Sequence, residues 1–146
     1  MNHRISFGRK AVLVAAACIV AAPAIAANLG RVLVGQSGPV TYATGGIGKE
    51  EQATMHRMAA KYPVRIAFSV YRDGEFVADV PVVIAKQDGR NVLYLAKAGP
   101  LLDVKLPVGA YTIAARYAGR KETRDITVDG ETSSNVYFNW KTRQGA

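Results

Sequence analysis

From Pro63 to Trp140 the sequence alternates between apolar and polar residues, with turn formers interrupting it every roughly 8 to 12 positions. No other feature restricts the fold as strongly. Val64, Ile66, Phe68 and Val70 alternate with Arg65, Ala67, Ser69 and Tyr71. Successive strand side chains point to opposite faces, so this run is a half-buried strand. Arg72-Asp73-Gly74-Glu75 then supplies turn chemistry and reads as a hairpin. Val80 to Ile84, Val92 to Leu95, and the set Leu102, Val104 and Leu106 mark the next three strands. Tyr111, Ile113, Ala115 and Tyr117 follow, then Thr123 to Val128, then Val136, Phe138 and Trp140 facing one way. Asp88-Gly89 and Asp129-Gly130 read as two-residue hairpin turns, while Pro107-Val108-Gly109 and Ala118-Gly119-Arg120 also reverse the chain. Parallel neighbours need crossovers of a dozen or more residues, usually helical, and these gaps are too short for one. The expectation is mainly β: a seven-stranded antiparallel sandwich over residues 63–140 with a polar tail over 141–146.

Ahead of the sandwich, residues 48–62 carry a helical pattern. Gly48 is placed as N-cap, Glu50 and Glu51 put negative charge in the first turn, Lys61 lies in the last turn and Pro63 stops continuation. Met55, Met58, Ala59 and Tyr62 form its apolar stripe, leaving Lys49, Gln52, His56 and Arg57 toward water. The helix should therefore pack on a sheet. Residues 27–47 hold Gly30, Gly35, Gly38, Pro39, Gly45 and Gly46 around the short apolar pieces Val32-Leu33-Val34 and Val40-Thr41-Tyr42. That density of turn formers implies an extended, loop-rich lead-in with room for one or two short strands.

The first 26 residues have a different character. Arg4, Arg9 and Lys10 precede an apolar run from Ala11 to Ala22, Pro23 breaks it, and Ala24-Ile25-Ala26 offers small residues at a cleavage site. This order reads as a secretory signal peptide cut after Ala26. The run is shorter than the roughly 20 residues needed to span a bilayer, so no membrane span is expected after cleavage. Ala15-Ala16-Ala17-Cys18 departs from a lipoprotein box, because it lacks the leading Leu and apolar residues follow the Cys; lipid anchoring through Cys18 is not expected. The expected location is periplasmic or secreted. Cys18 is the single cysteine, so the remaining chain has no internal disulfide and must be held by packing. Without the leader there are 16 basic and 11 acidic residues, net +5, and the basic residues are scattered rather than gathered into a stripe. Nucleic acid is therefore not an expected partner.

Val80-Pro81-Val82-Val83-Ile84, Asp88-Gly89, Leu106-Pro107-x-Gly109-x-Tyr111-Thr112-Ile113-x-Ala115, Gly119 and Arg124-x-Ile126-x-Val128 together resemble the carboxypeptidase regulatory-like domain. That family is a transthyretin-like sandwich within the broader Ig-like class, and the resemblance covers roughly residues 64 to 140. The Leu-Pro-x-Gly-x-Tyr step is its hallmark: Pro and Gly form a tight corner, and Tyr starts a long strand whose inward face joins the core. The lead with Gly45-Gly46-Ile47-Gly48 and the closing Phe138-x-Trp140 are similar to small exported proteobacterial proteins that carry the domain. The resemblance implies a fold with no catalytic residues of its own. Some domains of related shape carry Lys–Asn cross-links between first and last strands; Asn135 or Asn139 offers the amide, but Arg65 stands where the lysine is needed.

The residues themselves point away from catalysis. After the leader His56 is the sole histidine, too few for a zinc centre of the usual kind, and no Gly-x-Ser-x-Gly elbow accompanies Ser69, Ser133 or Ser134. Ala43-Thr44-Gly45-Gly46-Ile47-Gly48-Lys49-Glu50 lacks both the first Gly and the final Ser or Thr of a phosphate-binding loop. No catalytic set, cofactor or metal is expected. The function that fits is an exported, non-catalytic binding or accessory module of the cell envelope, facing an envelope protein or a polysaccharide; the alternative is a structural subunit of an envelope or surface assembly. Long glycine-rich loops often carry function, so the expected contact surface is Tyr42, Gly45, Gly46, His56 and Arg57.

Overall fold

A computed structural model describes residues 32–141; the expected signal peptide, the start of the lead-in and residues 142–146 lie outside them. Nine strands and one helix follow in the order β1 (Leu33–Ser37), β2 (Val40–Gly45), α1 (Lys49–Met58), a 3-10 turn (Ala59–Lys61), β3 (Val64–Val70), β4 (Val80–Lys86), β5 (Asn91–Ala98), β6 (Leu101–Lys105), β7 (Gly109–Tyr117), β8 (Arg120–Val128) and β9 (Ser134–Trp140). They form a sandwich of a five-stranded sheet, β1-β2-β6-β3-β9, and a four-stranded sheet, β5-β4-β7-β8. The expected count of seven rises to nine because the lead-in supplies β1 and β2. These pair antiparallel around a two-residue Gly38-Pro39 loop in which Gly38 takes φ 53°. Among the described residues no helix is long and apolar enough to cross a membrane.

The alternating residues meet between the sheets. Val64, Ile66, Phe68 and Val70 of β3 bury against Val82, Ile84, Leu93, Tyr111, Ile113 and Ala115 from the other sheet. At one end Phe68, Phe138 and Trp140 stack in sequence, with ring centroids 5.6 to 6.1 Å apart, and Tyr117 closes on Trp140 at 5.5 Å. The Trp140 indole N–H donates to the Arg120 carbonyl at 3.1 Å, so the one polar atom of the largest core side chain is satisfied.

Two turns act differently from their hairpin chemistry. Asp88-Gly89 does join antiparallel β4 and β5, and Ala118-Gly119 joins β7 and β8 with both residues at positive φ. Residues 72–75, by contrast, make one bridge between Ser69 and Phe76 before the chain leaves for the other sheet, so β3 and β4 do not pair. Asp129-Gly130 is also a crossing rather than a hairpin. The Asp129 carboxylate accepts the N–H groups of Glu131 and Thr132 and the Thr132 hydroxyl, which turns the chain sharply out of β8. Ser134 N–H then donates to Pro63 O at 2.7 Å, and β9 runs beside β3 in the same direction. The sandwich is thus antiparallel except at this one pair, because β9 enters at the end where β3 begins.

The helix is shorter than expected, ending at Met58 and tightening into the 3-10 turn before Pro63. It lies on the outer face of the five-stranded sheet. Met55 and Tyr62 bury there with Val32 and Ala43, flanked by Val34, Met58 and Leu101, as a small second core.

Candidate functional site

Where α1 stops covering the sheet, a cleft of about 260 Å³ opens between the helix and the outward residues of β6, β3 and β9. Strand register dictates what lines it. Asp103 of β6 lies opposite Arg65 of β3, which lies opposite Asn135 of β9; one step along, Leu101, Ala67 and Tyr137 form a second row. Gln52, Met55 and His56 of α1 complete the wall. The sheet contributes the fixed groups, because each is anchored by ladder bonds on a packed layer.

Asp103 is the unusual member. Only 4% of it is exposed, yet no described residue donates a hydrogen bond to its carboxylate. Two ion pairs among the described residues, Arg90–Asp88 and Arg124–Glu122, lie elsewhere. Since no buried polar side-chain atom is sealed without a partner, the Asp103 oxygens open into the cleft. Burial drives its carboxyl up to about 6, against the opposing pull of Arg65 and His56. The neighbouring Tyr62 hydroxyl is raised by its own burial and by the Asp103 charge.

The other two buried polar residues both have hydrogen-bond partners. Glu51 accepts the N–H groups of Gly46 and Ile47 at 3.0 and 2.9 Å through one oxygen, which fixes the loop entering α1. Its role at the helix start is a buried anchor rather than only a charge facing the dipole. Thr44 donates to Leu101 O and accepts from Gly99 N–H. Gly99 is required there: a Cβ would stand 2.8 Å from the Gly45 carbonyl oxygen.

The five residues expected as a contact surface lie in different environments. Tyr42 packs toward the core between the sheets, over Gly35, where a Cβ would overlap its ring. Gly45 and Gly46 are buried, Gly45 against Val32 and Glu51 and Gly46 against Leu101. His56 and Arg57 are exposed on α1, and of the five only His56 reaches the cleft. Arg65, Asp103, Asn135 and Tyr137 were not among the expected site residues. Asp103 stands between the core residues Leu102 and Val104, a position that alternation assigns to solvent; the helix that covers it leaves no trace in the local pattern. Arg65 does sit across from Asn135, where a Lys–Asn cross-link would need a lysine.

Chemically, the cleft offers one buried acceptor, a guanidinium, two carboxamides, an imidazole and an exposed phenol ring over an apolar floor. Among the described residues no three His, Cys, Asp or Glu side chains converge as a metal would require. No protein-family model matches the chain, and no curated protein matches it. Among solved structures the chain is similar to the Bacillus anthracis TIE protein, at 20% identity and a TM-score of 0.43, over 55% of this chain and 16% of that one. The chain thus spans about a sixth of that protein's length, and so distant a likeness carries no argument about function.

Proposed function

We propose that the protein is an exported, non-catalytic binding module of the cell envelope, with the cleft beside α1 as its contact site. The observation that carries this reading is Asp103, a buried carboxylate left without a donor and open to the cleft. Buried polar groups are nearly always hydrogen-bonded, and an exception in a concave site marks a place for a ligand. The leader-like first 26 residues support export to the periplasm or beyond. We assign the sandwich to the carboxypeptidase regulatory-like, transthyretin-like class. In support, the Tyr111 hydroxyl donates to the Pro107 carbonyl at 2.7 Å across the Leu106-Pro107-x-Gly109-x-Tyr111 step, a corner that ties the start of β7 to the preceding turn.

Co-sedimentation with isolated cell envelopes tests the site. Arg65→Ala and Tyr137→Ala, both on the open half of the sheet, should lower the bound fraction severalfold, while Tyr94→Ala on the opposite sheet should not. Equal sedimentation by all four proteins would remove the cleft from the function. Point variants are needed because removing residues 27–62 would strip β1, β2 and α1, taking Val40 out of the main core and uncovering Val104.

The structural-subunit reading draws on β1, an edge strand among the described residues, which presents Leu33, 44% exposed, and pairs with a described strand on one side only. Sedimentation velocity separates the two readings. Concentration-dependent assembly lost on Leu33→Lys favours the subunit; a monomer at high concentration favours the module.

A further inference from the structure

We propose that the cleft binds an uncharged, polyhydroxylated ring, the sugar unit of a neutral glycan, with Asp103 as acceptor, Arg65 and Asn135 as flanking donors, and Tyr137 as platform. This rests on the cleft being the binding site. The argument begins with charge. The lining holds one carboxylate, Asp103, and one guanidinium, Arg65, facing each other in register, with His56 at the wall. An anionic ligand would meet Asp103 and a cationic one Arg65, each with a penalty; a neutral ligand meets neither.

Hydrogen-bonding capacity narrows the class further. Asp103 lacks a donor, whereas Asn135 brings a carbonyl and an amide NH₂, and Gln52 brings a carbonyl beside an NH₂ that already donates to the Gly46 carbonyl at 3.2 Å. Vicinal hydroxyls both donate and accept, so one ring satisfies an acceptor and a donor that stand side by side. Tyr137, 67% exposed, sits one register step from this row and gives the C–H face of a ring a flat apolar surface. The cleft, about 260 Å³, lies at the small end of the roughly 300–1,000 Å³ usual for ligand sites, room for a ring rather than a drug-sized body. Tyr71 follows directly after the end of β3 and is exposed, with the Lys141 ammonium over its ring at 5.1 Å, so it lies outside the lining of the cleft.

Affinity should also follow protonation of Asp103, since the ionised carboxylate is the stronger acceptor. Every charged or titratable group facing it takes part: His56 from α1, Tyr62 from the 3-10 turn and Arg65 from β3. The pH series is therefore run in a His56→Gln background.

The experiment is ¹⁵N-detected NMR titration of the purified protein with four probes: chitotriose, maltotriose, trigalacturonate and trilysine. At least one neutral trisaccharide should move the Arg65, Asn135 and Tyr137 signals saturably. Asp103→Asn and Tyr137→Ala should each weaken that binding about tenfold or more, with Tyr94→Ala unchanged and with affinity falling below pH 6 only where Asp103 is present. Trigalacturonate or trilysine moving these signals in place of the neutral sugars would overturn the ligand class and leave the binding module intact. Neutral sugar binding that is indifferent to Asp103→Asn and Tyr137→Ala would overturn the site assignment. If no probe binds, the ligand class is overturned, and loss of envelope co-sedimentation would then overturn the binding module as well.

Discussion

The two cores of this molecule are built to different rules. The one between the sheets is apolar throughout its centre and carries its largest side chains, Trp140, Tyr111, Phe68 and Phe138, nearly without exposure. The one beneath α1 has Met55 and Tyr62 as its large residues and lies beside both buried carboxylates, Glu51 and Asp103. The first core holds the fold, and every polar atom in it has a partner. The second positions a helix whose edge leaves one acid unpaired, which is a cost to stability and an opportunity for binding. Comparing Glu51 with Asp103 makes the distinction concrete: similar burial, opposite degrees of satisfaction.

The largest effect should come from the first core. Trp140→Ala removes an indole stacked on two phenylalanines and should cost about 3 to 5 kcal/mol, measured by denaturant unfolding followed by circular dichroism. A loss below about 1 kcal/mol would mean that β9 is not a buried strand. Next comes Glu51→Ala, which leaves the Gly46 and Ile47 N–H groups without their acceptor and should cost about 2 to 3 kcal/mol in the same assay.

Asp103 should behave in the opposite sense. Its folded carboxyl sits near 6, above the ordinary aspartate value of 3.8, so the folded state holds its proton more tightly than the unfolded chain. Stability therefore falls as pH rises through the window from about 4 to 6. Asp103→Asn should stabilise the protein at pH 8 by about 1 to 2 kcal/mol, a two-unit shift discounted for the solvent that reaches the cleft, and should flatten the profile between pH 4 and 8. A destabilising Asp103→Asn would erase the contrast with Glu51. The smallest effect belongs to Asp129, an exposed acid held at about 2 chiefly by the N–H of Thr132 and then of Glu131. Its contribution is present at neutral pH and lost as pH falls from about 4 toward 2. Asp129→Asn should thus lower Tm slightly at pH 7 and leave it unchanged at pH 2, by differential scanning calorimetry.

What the sequence discloses follows from what is local. β3, β7 and β9 are legible because one face is buried and the other wet, so alternation reports them directly. β1 and β2 are obscured by Gly35, Gly38 and Gly45, of which Gly35 and Gly45 answer to the bulk of Tyr42 and of Val32 rather than to a loop. Partner choice is not local at all. Asp129-Gly130 states that the chain turns, and only the sandwich decides that it turns into the other sheet. Asp103 fails for the same reason, since its burial depends on a helix more than 40 residues earlier.

The parallel pairing of β3 with β9 also sets an order of events. Val64 meets Ser134, 70 positions later, whereas β4 meets β5 and β7 meets β8 across two to four intervening residues. Closing a long loop must precede any reward from such a contact, and chains dominated by distant pairings fold in milliseconds to seconds rather than microseconds. The four-stranded sheet can assemble from its hairpins as the chain emerges, while β3 waits with one side bare until Ser134–Trp140 arrives. The seam between these two strands is accordingly the last to close, and the interval before it closes is when the bare edge of β3 is most open to pairing with a neighbouring chain.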